Sequence, residues 1–264
     1  MKMLKRWNDA GMLNKVAEIT IYFWIIKILA TTVGETAADM VSVTLNLGLT
    51  ITSYIMTGVF VAALITQIRY RKYVPWIYWL TVVLISVVGT LISDNLVDNL
   101  GISLETTTIA FGVALLATFG WWYAKERTLS IHTIYTTRRE SFYWAAILFT
   151  FALGTSGGDL AAEGLKLGYG EAALIFAGLI GVVTFAYYVL RLNAVVAFWI
   201  AYILTRPLGA SFGDLLSQPV ADGGLGLGTV ITSTIFLATI VFLVVHLTRR
   251  RNSKAPLMLE PGSA

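Results

Sequence analysis

Lys27 interrupts the apolar run "YFWIIKILATT" (22–32), and Thr31, Thr32, Glu35 and Asp39 follow it within the next twelve residues. Hydroxyls, two carboxylates and one cation at the end of an apolar segment can coordinate a cation or carry a proton. They can equally well form a polar helix end that meets water. The same problem recurs further along. Arg206 stands in the apolar run "WIAYILTRPLGA" (199–210), and Asp94, Asp159 and Asp214 each close a similar run. A charge near the centre of a span costs about 2.5–3.5 kcal/mol or more, so Lys27 and Arg206 require a partner or a wet cavity.

The elements that must position these groups follow from composition. Hydrophobic residues make up 57% of the 264-residue chain and charged residues 13%, against roughly 45–50% and 25% in soluble domains. One core of this size cannot hide that excess, so lipid is the expected solvent. Apolar runs long enough to cross about 30 Å of hydrocarbon fall near 18–38, 43–67, 75–96, 102–124, 141–158, 169–190, 194–213 and 227–248. Segments such as "IFLATIVFLVV" (235–245) do not alternate as barrel strands would, so helices are expected. The reading is an all-α membrane protein with eight transmembrane helices in a single membrane domain, 1–264. Residues 1–17 are polar and basic ahead of a full span, so no cleavable leader is expected.

Lys2, Lys5, Arg6 and Lys15 precede the first span, and Arg69, Arg71 and Lys72 follow the second. Lys125, Arg127, Arg138 and Arg139 separate spans four and five, Arg191 follows span six, and Arg249, Arg250, Arg251 and Lys254 follow span eight. All fall on one side, with Lys166 alone on the other. The positive-inside bias therefore makes both termini cytoplasmic. The net charge of +4 is a topology signal, and no nucleic-acid partner is expected.

A repeat organises the chain. "WIIKILATTVGETAAD" (24–39), "WLTVVLISVVGTLISD" (79–94), "WAAILFTFALGTSGGD" (144–159) and "WIAYILTRPLGASFGD" (199–214) share W-x9-G-x4-D without a gap. Trp24, Trp79, Trp144 and Trp199 read as packing anchors, and Gly34, Gly89, Gly154 and Gly209 as close helix contacts. Repeats lie near 18–67, 73–124, 138–190 and 193–248. Units one and three are offset by 120 residues, as are two and four, so the halves 1–130 and 131–250 are related as well. An even number of spans per unit makes the repeats parallel. In this pattern the chain resembles a family of bacterial membrane proteins built from four tandem two-helix repeats, each with a characteristic tryptophan. The resemblance implies a multi-pass protein of the bacterial inner membrane and implies no activity.

Residues four apart share a helix face. The stripes are Lys27, Thr31, Glu35 and Asp39; Ser86, Thr90 and Asp94; Thr155 and Asp159; and Tyr202, Arg206, Ala210 and Asp214. Arranged about an axis, they would form an outward funnel ringed by four Asp residues, with Glu35, Lys27 and Arg206 as unique groups within. Glu35 and the aspartates are the available counter-charges for Lys27; Arg206 reaches Asp214 only across two turns, which favours a partner from another repeat. Rings of carboxylates select cations. The function expected is therefore a secondary transporter, or a channel, for a cation or small cationic solute. The path would comprise Glu35, Asp39, Asp94, Asp159, Asp214, Lys27, Arg206, Thr31, Thr32, Thr90 and Thr155.

Lys27 and Arg206 keep an anionic solute open, and the identity of any bound metal is left undetermined. A scaffold or accessory subunit, in which the repeat motif only holds the bundle, is the alternative. No enzyme is expected. There is no cysteine, the two histidines lie outside the polar stripes, no Walker loop occurs, and "GGLGLG" (223–228) precedes an apolar span. No cofactor is expected. The partners expected are the lipid bilayer and an unidentified small solute or ion, with self-association left open.

Overall fold

The computed structural model describes residues 14–254. Lys2, Lys5 and Arg6 of the charge argument lie outside them. Within that range the chain is helical, with eight helices long and apolar enough to cross a membrane. They are α1 (Ile21–Asp39), α2 (Leu49–Arg69), α3 (Pro75–Asp94), α4 (Leu104–Glu126), α5 (Thr137–Asp159), α6 (Tyr169–Tyr188), α7 (Ala194–Ser217) and α8 (Thr229–Lys254).

Local signals start the helices. Thr20, Ser103, Thr136 and Asn193 accept hydrogen bonds from first-turn amides of α1, α4, α5 and α7, satisfying donors that the helix itself leaves free. Pro75 occupies the first turn of α3, where no amide is needed. A Leu-Gly pair stands ahead of each even helix: Leu47-Gly48, Leu100-Gly101, Leu167-Gly168 and Leu225-Gly226. Gly48, Gly101, Gly168 and Gly226 all adopt positive φ, 67° to 85°, which glycine reaches without steric cost.

Packing divides the helices into two layers. α1, α3, α5 and α7 form a closed inner ring, each touching the next and α7 touching α1. The even helices lie outside and expose most of their apolar surface. The two helices of one sequence repeat do not make the main pair. Instead α2 packs on α3, α4 on α5, α6 on α7, and α8 returns to α1. Each repeat thus covers its successor, and the fourth closes the ring on the first, as expected when a single unit cannot bury its own apolar face.

The glycines set the ring's spacing. A Cβ built on Gly34 would lie 2.6 Å from Ser86 Cβ, one on Gly89 2.6 Å from Phe151 Cβ, one on Gly154 2.5 Å from Arg206 Cβ, and one on Gly209 2.6 Å from Thr31 Cβ. Ser86, Phe151, Arg206 and Thr31 all stand seven residues after the tryptophan of the following repeat. One contact is therefore repeated four times around the axis, and only a residue without a side chain permits it. Trp79, Trp144 and Trp199 are buried at the other end of the ring and Trp24 is half-buried.

At that end a polar cluster ties the N-terminal segment to the bundle. Lys15 Nζ is 2.5 Å from Glu140 Oε2 and donates to the Ile68 carbonyl at 2.9 Å. Gln67 Nε2 donates to Glu140 Oε1 at 3.2 Å. Lys15, one of the basic residues counted for topology, is thus buried in an ion pair. Glu140→Leu is expected to destabilise the detergent-solubilised protein by about 3 kcal/mol, because it strands a buried ammonium. Adding Lys15→Met should recover much of the loss. Thermal denaturation of the single and double variants checks this.

Candidate functional site

The four motif aspartates lie together at the end of the bundle opposite the tryptophans. Asp39, Asp94, Asp159 and Asp214 line one cavity of about 150 Å³, with Glu35 among them. The backbone there is unusual. Asp39, Asp94 and Asp159 end their α-helices and lead directly into five-residue π turns, Met40–Thr44, Asn95–Asn99 and Leu160–Gly164. Such turns are rare and concentrate at functional sites. The fourth repeat differs: α7 continues as α-helix past Asp214 to Ser217, so the expectation that every motif Asp closes its helix is corrected there.

Three further polar residues line the cavity: Asp98, Glu163 and Gln218. Each is four residues beyond a motif Asp, so the same stripes carried one turn further would have found them; the stripe reading stopped at the motif. Gln218 Nε2 donates to Asp39 Oδ2 at 3.2 Å. Val97 and Leu104 complete the lining, which makes seven of its ten residues carboxylates. Like charges in one small cavity repel, so the set is stable only with protons or a bound cation to balance it.

Below the aspartates lies a layer in which the repeats diverge, formed by Glu35, Thr90, Thr155 and Ala210. Ala210 leaves space, and the side chain of Arg206, one turn earlier on α7, fills it. Arg206 is wholly buried. Its Nη2 is 2.9 Å from Glu35 Oε2, donates to Thr155 Oγ1 at 2.6 Å and also to Thr90 Oγ1. Its Nη1 donates to the Thr31 carbonyl at 3.1 Å. One guanidinium from the fourth repeat thereby joins the other three inner helices. Fork geometry and permanent charge suit arginine to this role.

Lys27 departs from expectation. It makes no ion pair with Glu35 or any other described carboxylate. Its ammonium donates to Thr205 Oγ1 at 3.3 Å and lies 4.2 Å and 4.3 Å from the ring centroids of Tyr202 and Phe151. Arg206 stands between it and Glu35, so the two-turn separation along α1 is not bridged. Aromatic faces substitute in part for a counter-ion. Thr31 and Thr32 are also off the cavity. Their hydroxyls bond to the Ile28 carbonyl, with Thr31 reaching the Thr205 carbonyl as well, and both pack against Gly209.

Among the described residues, no group of three or more His, Asp or Glu side chains is placed to hold a metal ion. The cavity therefore presents acceptors and negative charge without a preformed metal cage. The motif divides its labour: Gly sets the helix spacing, Trp packs the opposite end, and Asp faces the cavity.

A family model described as a repeat of unknown function (DUF347) matches the chain four times, over residues 22–73, 77–128, 142–193 and 197–253. The chain belongs to the DUF347 repeat family. Each matched unit contains one W-x9-G-x4-D block, as the resemblance to a four-repeat family implies. The DUF347 description carries no activity, and no curated protein and no solved structure matches the chain.

Proposed function

We propose that this DUF347 protein is a secondary transporter for a cation or small cationic solute in the bacterial inner membrane, with both termini cytoplasmic and the carboxylate cavity facing outward. The observation that carries the reading is the convergence of one aspartate from each repeat, with Glu35, on a single cavity. A motif that served only to hold a bundle has no need to direct four carboxylates into one space, where they repel. Gly and Trp already account for the packing.

A carrier fits better than a channel. Below the cavity the axis is filled by the buried side chains of Arg206, Phe151, Lys27 and Tyr202, and no continuous pore could pass them without movement. In this reading Glu35 is the deepest carboxylate to meet the solute, and Arg206 is the counter-charge that it holds when the solute is absent. Rocking of the two halves about the bundle axis would expose the site alternately, as in other parallel-repeat carriers. Uptake of a cationic solute by proteoliposomes tests the proposal. Glu35→Gln and Asp39→Asn should each reduce flux to the level of protein-free vesicles while leaving insertion intact. Normal transport by both variants would remove the carboxylates from the path.

A further inference from the structure

We infer that the cavity takes a small organic cation that donates N–H hydrogen bonds, such as a primary alkylammonium or a guanidinium. For the role of the site this rests on the transporter reading. The choice of ligand class rests on the lining.

Asp214 is 6% exposed and lines the cavity, yet it makes no hydrogen bond or ion pair with any described side chain. Asp94 and Asp159 are likewise without side-chain partners among the described residues. Asp94 and Asp159 are half-buried, and the oxygens of all three carboxylates open onto the cavity, where no described side chain donates to them. A ligand that replaces protons in balancing these carboxylates brings positive charge and N–H or O–H groups. An anion finds no cation there, because Arg206 is absent from the lining and its Nη2 is covered by Glu35, Thr90 and Thr155.

The lining also separates classes of cation. A dehydrated metal ion needs several ligands converging on one point, and no such group occurs among the described residues. A quaternary ammonium has no N–H to donate and is recognised by aromatic faces; the cavity has none. Its volume of about 150 Å³ equals that of a cavity that accepts a benzene-sized molecule, well beyond a bare ion. Carboxylates spread around such a space match several N–H donors on one compact cation, the arrangement that charge-assisted hydrogen bonds favour.

Thermal stability and calorimetric binding of the purified protein should be measured with millimolar propylammonium, methylguanidinium, tetramethylammonium, Mg²⁺, Ca²⁺ and Mn²⁺. Wild type should be stabilised by the first two alone, and Asp214→Asn should weaken their binding by roughly tenfold or more. Asp159→Asn serves the same purpose if Asp214→Asn does not fold. The inference is overturned if tetramethylammonium binds as well as propylammonium. It is equally overturned if only the metal ions bind, if neither amine binds, or if amine binding ignores both substitutions. Flux separates this from the broader reading. Amine binding lost in Asp214→Asn without flux in proteoliposomes would end the transporter reading and leave the site. Metal-ion flux without amine binding would do the reverse.

Discussion

Gly154→Ala is expected to disrupt the bundle, with a loss of about 3 kcal/mol or more in stability and a matching fall in detergent melting temperature. Overpacking a well-filled contact typically costs about 1–3 kcal/mol, and here the added methyl meets atoms that cannot swing aside. It would stand 2.5 Å from Arg206 Cβ and 3.0 Å from Pro207 Cδ. Both are anchored at the backbone of α7, so relief requires separating α5 from α7, and with them the layer in which Arg206 bonds to Thr155. Gly58→Ala is the control. Gly58 lies on outer helix α2 with nothing within 4 Å of an added Cβ. There the alanine should be neutral or stabilising by up to about 1 kcal/mol, as helix propensity predicts. Equal melting temperatures for Gly154→Ala and wild type would mean that the ring is looser than described.

Arg206→Met should destabilise by about 3–5 kcal/mol, the range for breaking a buried ion pair on one side. Glu35, 6% exposed, would keep its charge without the guanidinium 2.9 Å away, and the Thr31 carbonyl would lose its donor. Glu35→Gln should cost less, since Arg206 retains Thr90, Thr155 and the Thr31 carbonyl. The double variant Glu35→Gln/Arg206→Met should be more stable than Arg206→Met, because no uncompensated charge remains. Denaturation of the three variants in detergent gives the coupling energy directly. Additive losses would show that Glu35 and Arg206 do not act as a pair, and would remove the counter-charge assigned to the transport cycle.

The charge pattern of the inner ring now has a physical description. Four equivalent positions carry Glu35, Thr90, Thr155 and Ala210. Three point polar groups inward, and the fourth is small enough to admit the arginine from one turn before. A symmetric ring of four glutamates could not be buried. One glutamate with one arginine, bridged by two threonines, can.

The sequence by itself determined the eight helices, the four-fold register of Trp, Gly and Asp, and the expectation that four aspartates share one end of the bundle. These follow from hydropathy and from residue counts along single helices, which the covalent chain sets before any packing. It also favoured a partner for Arg206 in another repeat, since Asp214, the carboxylate on α7, stands two turns away. Which partner it found was decided only by tertiary structure. Gly meets the residue seven positions after Trp on the next helix, so Gly209 lies against Thr31 and Lys27 comes beside Thr205. From there the Arg206 side chain reaches up to Glu35, and Lys27 stays below it against Phe151 and Tyr202. Tertiary structure also assigned each outer helix to the following repeat, and it carried the acidic stripes through π turns to Asp98 and Glu163. Helix rotation and stagger arise from contacts between segments far apart in sequence, and no period within one segment encodes them.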